Sequence, residues 1–234
     1  VLDYDTLVRN ADAVRGRIAA AAARAGRDPA GVRLVAATKY VGADALPLLA
    51  RAGVAVIGEN RVQDALAKLA AVGDCGLEWH FIGTLQKNKI NKVLPLFSLI
   101  HSVDSAKLAG AVSDRSPEEP TPVLFEVNVA GEATKHGFDP VSLAESFPGL
   151  LSLPGVAPRG LMTMAPLEAE PEDTRPVFRA LRELRDELSR RHGLDGFTEL
   201  SMGMTNDFEV AVEEGATLVR VGSALFRGLT ERVP

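Results

Sequence analysis

A single cysteine, Cys75, stands in 234 residues. That count excludes an intramolecular disulfide framework and leaves too little sulfur for a Cys-rich zinc site, and it fits a reducing, cytoplasmic setting. Basic charge is not in excess: 26 Lys plus Arg face 31 Asp plus Glu, a formal net charge of -5. No global field therefore draws the chain to nucleic acid. Long apolar runs are also missing. The best, VLPLFSLIHSV at 93–103, falls short of the roughly 18 residues a spanning helix needs, so no membrane anchor is expected. The first 27 residues carry Asp3, Asp5 and Asp12 among their apolar positions, unlike the basic-then-apolar order of a secretory signal. There is no G-x-G-x-x-G, Walker A or G-x-S-x-G motif, which argues against nicotinamide enzymes, NTPases and α/β-hydrolases. The four histidines, His80, His101, His136 and His192, lack metal-ligand spacing; no metal site is expected, and each is read as solvated or satisfied locally.

What is present is an alternation. Leu7, Val14, Ile18 and Ala22 mark an amphipathic helix over about 4–25, closed near Gly26. Eight short apolar runs follow, at 32–39, 54–58, 78–83, 97–103, 122–129, 156–162, 198–203 and 217–222, with helical segments between them. The longest, DTRPVFRALRELRDELSRRHG, sets Phe178, Leu181, Leu184 and Leu188 on one face. Strands alternating with helices imply a parallel sheet. Without a Gly-rich turn after the first strand, a closed (β/α)8 barrel with an extra N-terminal helix is the expected fold. No linker or composition break divides the chain, and SDRSPEEPTP at 113–122 reads as a polar loop, so residues 1–234 are expected to form one domain.

In such a barrel, chemistry sits at the C-terminal ends of the strands. Lys39 follows the apolar run LVAAT. There it either points into a dry mouth, where burial would favour the neutral, nucleophilic amine, or snorkels to solvent. After the last two strands, Ser201, Gly203 and Thr205 precede a helix expected from about Asn206, and Gly222 and Ser223 follow the final run. Hydroxyls, loop amides and a helix N-terminus in the loops after strands seven and eight suit a phosphate, although either loop alone is equally an ordinary turn. Arg220 lies inside TLVRVG, where period-two alternation turns it inward. It needs an acceptor there, either an interior acid such as Glu126 or Glu199 or a ligand's ring nitrogen. Together these features describe a phosphorylated, carbonyl-bearing ligand held through a lysine, and pyridoxal 5′-phosphate (PLP) fits. A sugar-phosphate enzyme using Lys39 on its substrate fits the same residues.

The segments ATKY (37–40), IGENRVQD (57–64), WHFIGTLQKNK (79–89), FEVNVAGEATKHGF (125–138), RGLMTM (159–164), LSMGMTND (200–207) and VRVGSALF (219–226) resemble the pyridoxal-phosphate-binding homeostasis protein family, itself similar to the barrel domain of alanine racemase. The resemblance spans nearly the whole chain. It implies that Lys39 forms the internal aldimine with PLP and that Arg220 faces the pyridine nitrogen. It also implies that Ser201, Thr205, Gly222 and Ser223 hold the phosphate, with Asn60, His80 and Met204 near the cofactor. Thr205 stands where the family usually has Ser, and Arg227 where it usually has Gly.

Two function classes follow. The first is a non-catalytic protein of vitamin B6 homeostasis that holds PLP and delivers it to PLP-dependent apoenzymes. The second is a PLP-dependent amino-acid racemase. Racemisation needs a base on each face of the cofactor, and neither Tyr4, in the first helix, nor Tyr40, expected to point away from Lys39, is placed to be the second. Lys87, Lys89 and Lys92 read as a solvated helix face and Lys135 as a surface lysine. A monomer and a homodimer are both compatible with the pattern.

Overall fold

The computed structural model describes residues 2–132, 136–166 and 168–229; Lys135 lies outside them. Eight parallel strands close into a barrel in sequence order. They are β1 (Arg33–Ala37), β2 (Val56–Glu59), β3 (Glu78–Phe81), β4 (Leu99–Val103), β5 (Thr121–Glu126), β6 (Val156–Met162), β7 (Glu199–Ser201) and β8 (Leu218–Val221). The closing pair aligns Val35 of β1 with Arg220 of β8. β6 matches its expected run of 156–162, and each of the other strands falls within or beside its run but is shorter.

The outer layer begins with α1 (Tyr4–Arg24), whose start is capped by the Asp3 carboxylate accepting from the Thr6 amide at 3.2 Å. Then come α2 (Ala45–Arg51), α3 (Val62–Val72), α4 (Ile90–Val93), α5 (Ala106–Ser113), α6 (Pro140–Leu151), α7 (Arg175–His192) and α8 (Phe208–Glu213). The apolar face of α1, with Leu7, Ala11, Val14 and Ile18 buried, is satisfied against its neighbours α8 and α2. The first helix thus fills the place in the ring that a helix after β8 would take, and among the described residues none follows β8. The polar run at 113–122 does connect α5 to β5. Lys87 and Lys92 are exposed and Lys89 half-buried on the turn that leads into α4, as expected of a solvated face.

Two apolar layers result. The larger lies between strands and helices and includes Phe125, Phe147, Phe178, Phe197 and Phe208. The smaller lies inside the barrel and consists of Val35, Val56, Leu99, Leu124, Met162 and Leu218. Burying a Val, Leu or Met side chain contributes about 1.5–3 kcal/mol relative to leaving it exposed. The small layer is flanked by inward polar groups, so the barrel axis carries both packing and chemistry. Among the described residues, no helix is long and apolar enough to cross a membrane.

Candidate active site at the barrel mouth

The end of β1 is pinned from outside the barrel. Glu59, fully buried at the end of β2, accepts from the Thr38 hydroxyl and pairs with Lys68 of α3. The Lys68 ammonium also donates to the Thr38 carbonyl at 2.7 Å. β1 ends at Ala37 and residues 39–40 form a turn, so strand alternation no longer dictates where Lys39 points. Lys39 is exposed, its Nζ lies 4.6 Å from the Tyr40 ring centroid, and it borders a cavity of about 280 Å³ with Val41, Gly42, Ala43, Asp64, Ala67 and Lys68. Of the two alternatives for Lys39, the structure takes the solvent-facing one. The expectation for Tyr40 is corrected: it does not point away from Lys39 but lies against its ammonium, because the strand ends early.

Arg220 is the inward, buried cation that alternation predicted, 6% exposed. Neither Glu126 nor Glu199 pairs with it. Its Nη1 donates to the Ser201 hydroxyl and its Nη2 to the Thr163 carbonyl at 2.9 Å. Burial lowers its pKa to about 10, with Asp207 and Glu126 opposing that shift, and it stays a cation at neutral pH. Glu126 ends β5 facing inward; burial, reinforced by Asp104, pushes its carboxyl upward while Arg220 pulls it down.

The two loops expected to cradle a phosphate lie side by side. The Ala224 amide points at Thr205 Oγ1 at 3.5 Å. Gly203 has φ +89, and a Cβ there would sit 2.6 Å from the Ala211 Cβ and 2.8 Å from the Phe208 Cα, so glycine alone lets the loop lie on α8. The Asp207 carboxylate accepts from the Met204 amide at 2.6 Å and holds the loop; its own pKa is raised by burial. Among the described residues the amides of Thr205, Asn206 and Ser223 donate to no protein acceptor. The helix begins at Phe208, two residues past Asn206, and spans six residues. Gly222 packs against the Ala37 carbonyl, 3.3 Å from where a Cβ would stand. Arg227, with Arg17, Thr205 and Asn206, borders a polar cavity of about 500 Å³ beside the same loops.

The remaining expected residues divide. Asn60 sits just past β2 with Oδ1 buried and without a partner. Met204 is half-buried at the loop. Ser201 departs from the cradle: its hydroxyl is fully buried inside β7, between Arg220 and His101 Nδ1, the latter at 2.8 Å. His80 faces the barrel axis, and its Nδ1 lies 3.0 Å from His101 Nε2. Neither histidine is solvated; each is fully buried and satisfied by the other. His101 was not among the expected site residues, although it stands at the inward parity of the run FSLIHSV. Of the two tyrosines, Tyr4 donates to the Arg51 carbonyl at 3.2 Å on the surface, whereas Tyr40 lies beside Lys39.

A closed parallel eight-stranded barrel with a lysine just past its first strand, an inward arginine on its last and adjoining loops after β7 and β8 is a barrel of the alanine racemase N-terminal class, and the alanine racemase N-terminal domain family matches residues 9–230. The pyridoxal phosphate homeostasis protein of Aquifex aeolicus is 48% identical over 212 residues, covering 90% of this chain and 92% of that protein. The chain belongs to the pyridoxal phosphate homeostasis protein family. Among solved structures, a protein from Bifidobacterium adolescentis superposes with a TM-score of 0.89 at 38% identity, covering 97% of this chain and 98% of that one. PipY of Synechococcus elongatus, solved with PLP bound, superposes with a TM-score of 0.79 at 38% identity, covering 91% and 99%.

Proposed function

We propose that this chain binds PLP at the barrel mouth, linked to Lys39, and serves intracellular vitamin B6 homeostasis by holding the cofactor without turning over a substrate. The observation that carries the reading is Arg220: a buried, inward-facing guanidinium that, among the described residues, donates to the Ser201 hydroxyl and the Thr163 carbonyl and to no carboxylate. A guanidinium only donates, so it holds a pyridine nitrogen unprotonated and makes the ring a weak electron sink. When bound, PLP supplies an aldehyde for amines and a ring that can delocalise a carbanion.

The chain's own groups fit that ligand. The loop amides of Thr205, Asn206 and Ser223 and the hydroxyls of Thr205 and Ser223 suit the phosphate. The orphaned Asn60 Oδ1 offers an acceptor at the mouth and half-buried Met204 lies in the loop after β7; His80, which meets Glu78 at the far rim, reaches the ring only through His101, Ser201 and Arg220. Lys39, exposed on its turn, is accessible to the aldehyde and would hold the cofactor through its Nζ once that amine is neutral. A relative solved with PLP bound at 38% identity supports the assignment. The same reading makes residues 1–234 one domain of a cytoplasmic protein, working as monomer or homodimer, with PLP-dependent apoenzymes as recipients.

The test is borohydride trapping with peptide mapping, followed by α-proton exchange. The parent is expected to carry one cofactor on the peptide containing Lys39 and to show no exchange of L-amino acids in D2O above free PLP. A trapped adduct elsewhere would move the site. Lys39-dependent exchange, or formation of D-isomers, would make the protein a racemase.

A further inference from the structure

Five side chains inside the barrel form one unbroken hydrogen-bonded line that cofactor binding alone does not require. Arg220 Nη1 meets the Ser201 hydroxyl. Ser201 Oγ is 2.8 Å from His101 Nδ1, His101 Nε2 is 3.0 Å from His80 Nδ1, and His80 Nε2 is 2.8 Å from Glu78 Oε1. The line runs the length of the barrel. Arg220 lies near the mouth end of β8, whereas Glu78 is the first residue of β3 on the opposite rim. There its half-exposed carboxylate also pairs with Arg33 and accepts from the Ser98 hydroxyl at 3.1 Å.

Burial favours the neutral form of both histidines, and with both neutral the line has one direction. A carboxylate can only accept, so His80 donates through Nε2–H and accepts at Nδ1; His101 does the same; Ser201 gives its proton to His101 and turns a lone pair to Arg220, which can only donate. Each histidine is then the Nε2–H tautomer. Burial acts most strongly at His101, where His80, Arg220 and Arg33 add to the effect. At His80, Glu78 and Glu199 act against burial, with Arg33 on its side. A one-way line of donors between a cation and an anion polarises each member.

We infer that Glu78, His80 and His101 are positioning residues that couple the water-facing rim of the barrel to Arg220, and thereby set the hydrogen bond Arg220 offers to the cofactor ring. Two of the Arg220 N–H groups are spent on Ser201 and Thr163, which fixes the guanidinium plane. Ser201 is a good acceptor because its proton is held by His101. The charge at Glu78, trimmed by Arg33, lies at the end of this line and is open to solvent, so pH, ions or a partner at that rim would be felt at the mouth. The inference rests on the PLP reading above.

The test has two arms. In full-length protein with ¹⁵N-labelled histidine and no cofactor, His80 and His101 are expected as neutral Nε2–H tautomers from pH 6 to 8. An Nδ1–H tautomer or an imidazolium at either position would overturn the line. In PLP-loaded protein, the pH at which the cofactor's visible band is lost is read for the parent and its variants. Glu78→Gln removes a negative charge and is expected to lower that midpoint by about half a unit, and Arg33→Gln to raise it. In a His101→Phe background the Glu78→Gln shift is expected to shrink at least twofold, the signature of coupling through contact. Equal shifts with and without His101 would reduce the effect to through-space charge and reject the coupling, as would superposable titrations of Glu78→Gln and parent. Should His101→Phe fail to fold, Ser201→Ala cuts the same line. A parent that takes up no PLP, with the tautomers as stated, would sink the cofactor reading and the coupling to it while leaving the line itself standing.

Discussion

The ammonium of Lys68 donates to the carbonyl oxygen of Thr38 at 2.7 Å while pairing with the buried carboxylate of Glu59. A helix outside the barrel thus fixes the backbone one residue before Lys39. Removing one member of a buried pair strands the other, a loss of about 3–5 kcal/mol. Lys68→Met is expected to lower the urea midpoint accordingly and to slow capture of PLP at Lys39. A variant with parental stability and capture rate would show that the pair does neither.

Lys39 is exposed and supports no packing, so its removal separates chemistry from folding. Lys39→Ala is expected to change unfolding free energy by no more than about 0.5 kcal/mol. It should abolish the borohydride-trapped adduct while PLP still binds reversibly and more weakly. An undiminished adduct in mass spectrometry would place the linkage on another lysine.

Gly203 combines φ +89 with a loop lying directly on α8. Gly203→Ala meets both strain and a clash, and is expected to cost about 2 kcal/mol or more in chemical denaturation. Because the same loop presents the Thr205 and Asn206 amides, affinity for PLP measured by fluorescence should fall about tenfold or more. A stable variant with parental affinity would remove this loop from the phosphate site.

His80 and His101 are held below the ordinary histidine value of 6.5 by burial. In the unfolded chain they take up protons at that ordinary value, so the unfolded state binds more protons as pH falls below about 6.5. Stability should decline from pH 7 to pH 5 through these histidines, with the raised carboxyls of Glu126 and Asp207 working against the decline toward its acid end. Replacing His101 with Gln should flatten this slope, even if the variant is less stable overall. A parent equally stable at pH 7 and pH 5 would argue against two neutral buried imidazoles.

The alternation of runs was enough to read the barrel, because period-two strands between amphipathic helices have few ways to bury both faces. The loops at 203–206 and 222–224 were legible for the same reason, since glycines and hydroxyls at the ends of the seventh and eighth strands have a fixed place in such a barrel. Arg220 was legible through its parity. Lys39 was legible by position but not by direction: β1 stops at Ala37, and a strand's last residue is settled by pairing with β2, not by its own apolar run. His101 stands at an inward position of β4, yet only the register of β3 against β4 brings it to His80.

Local pattern therefore determined which residues point inward, since side-chain direction in a strand follows from the pleat alone. Tertiary structure decided which inward residues touch. Ser201 is the clearest instance. Its place toward the end of the seventh run suggested a phosphate ligand, but closing the barrel sets β7 between β6 and β8. There the Ser201 hydroxyl meets a guanidinium from β8 and an imidazole from β4. Contacts across a closed sheet depend on strand stagger and tilt, which are properties of the whole barrel and are not encoded in any one segment.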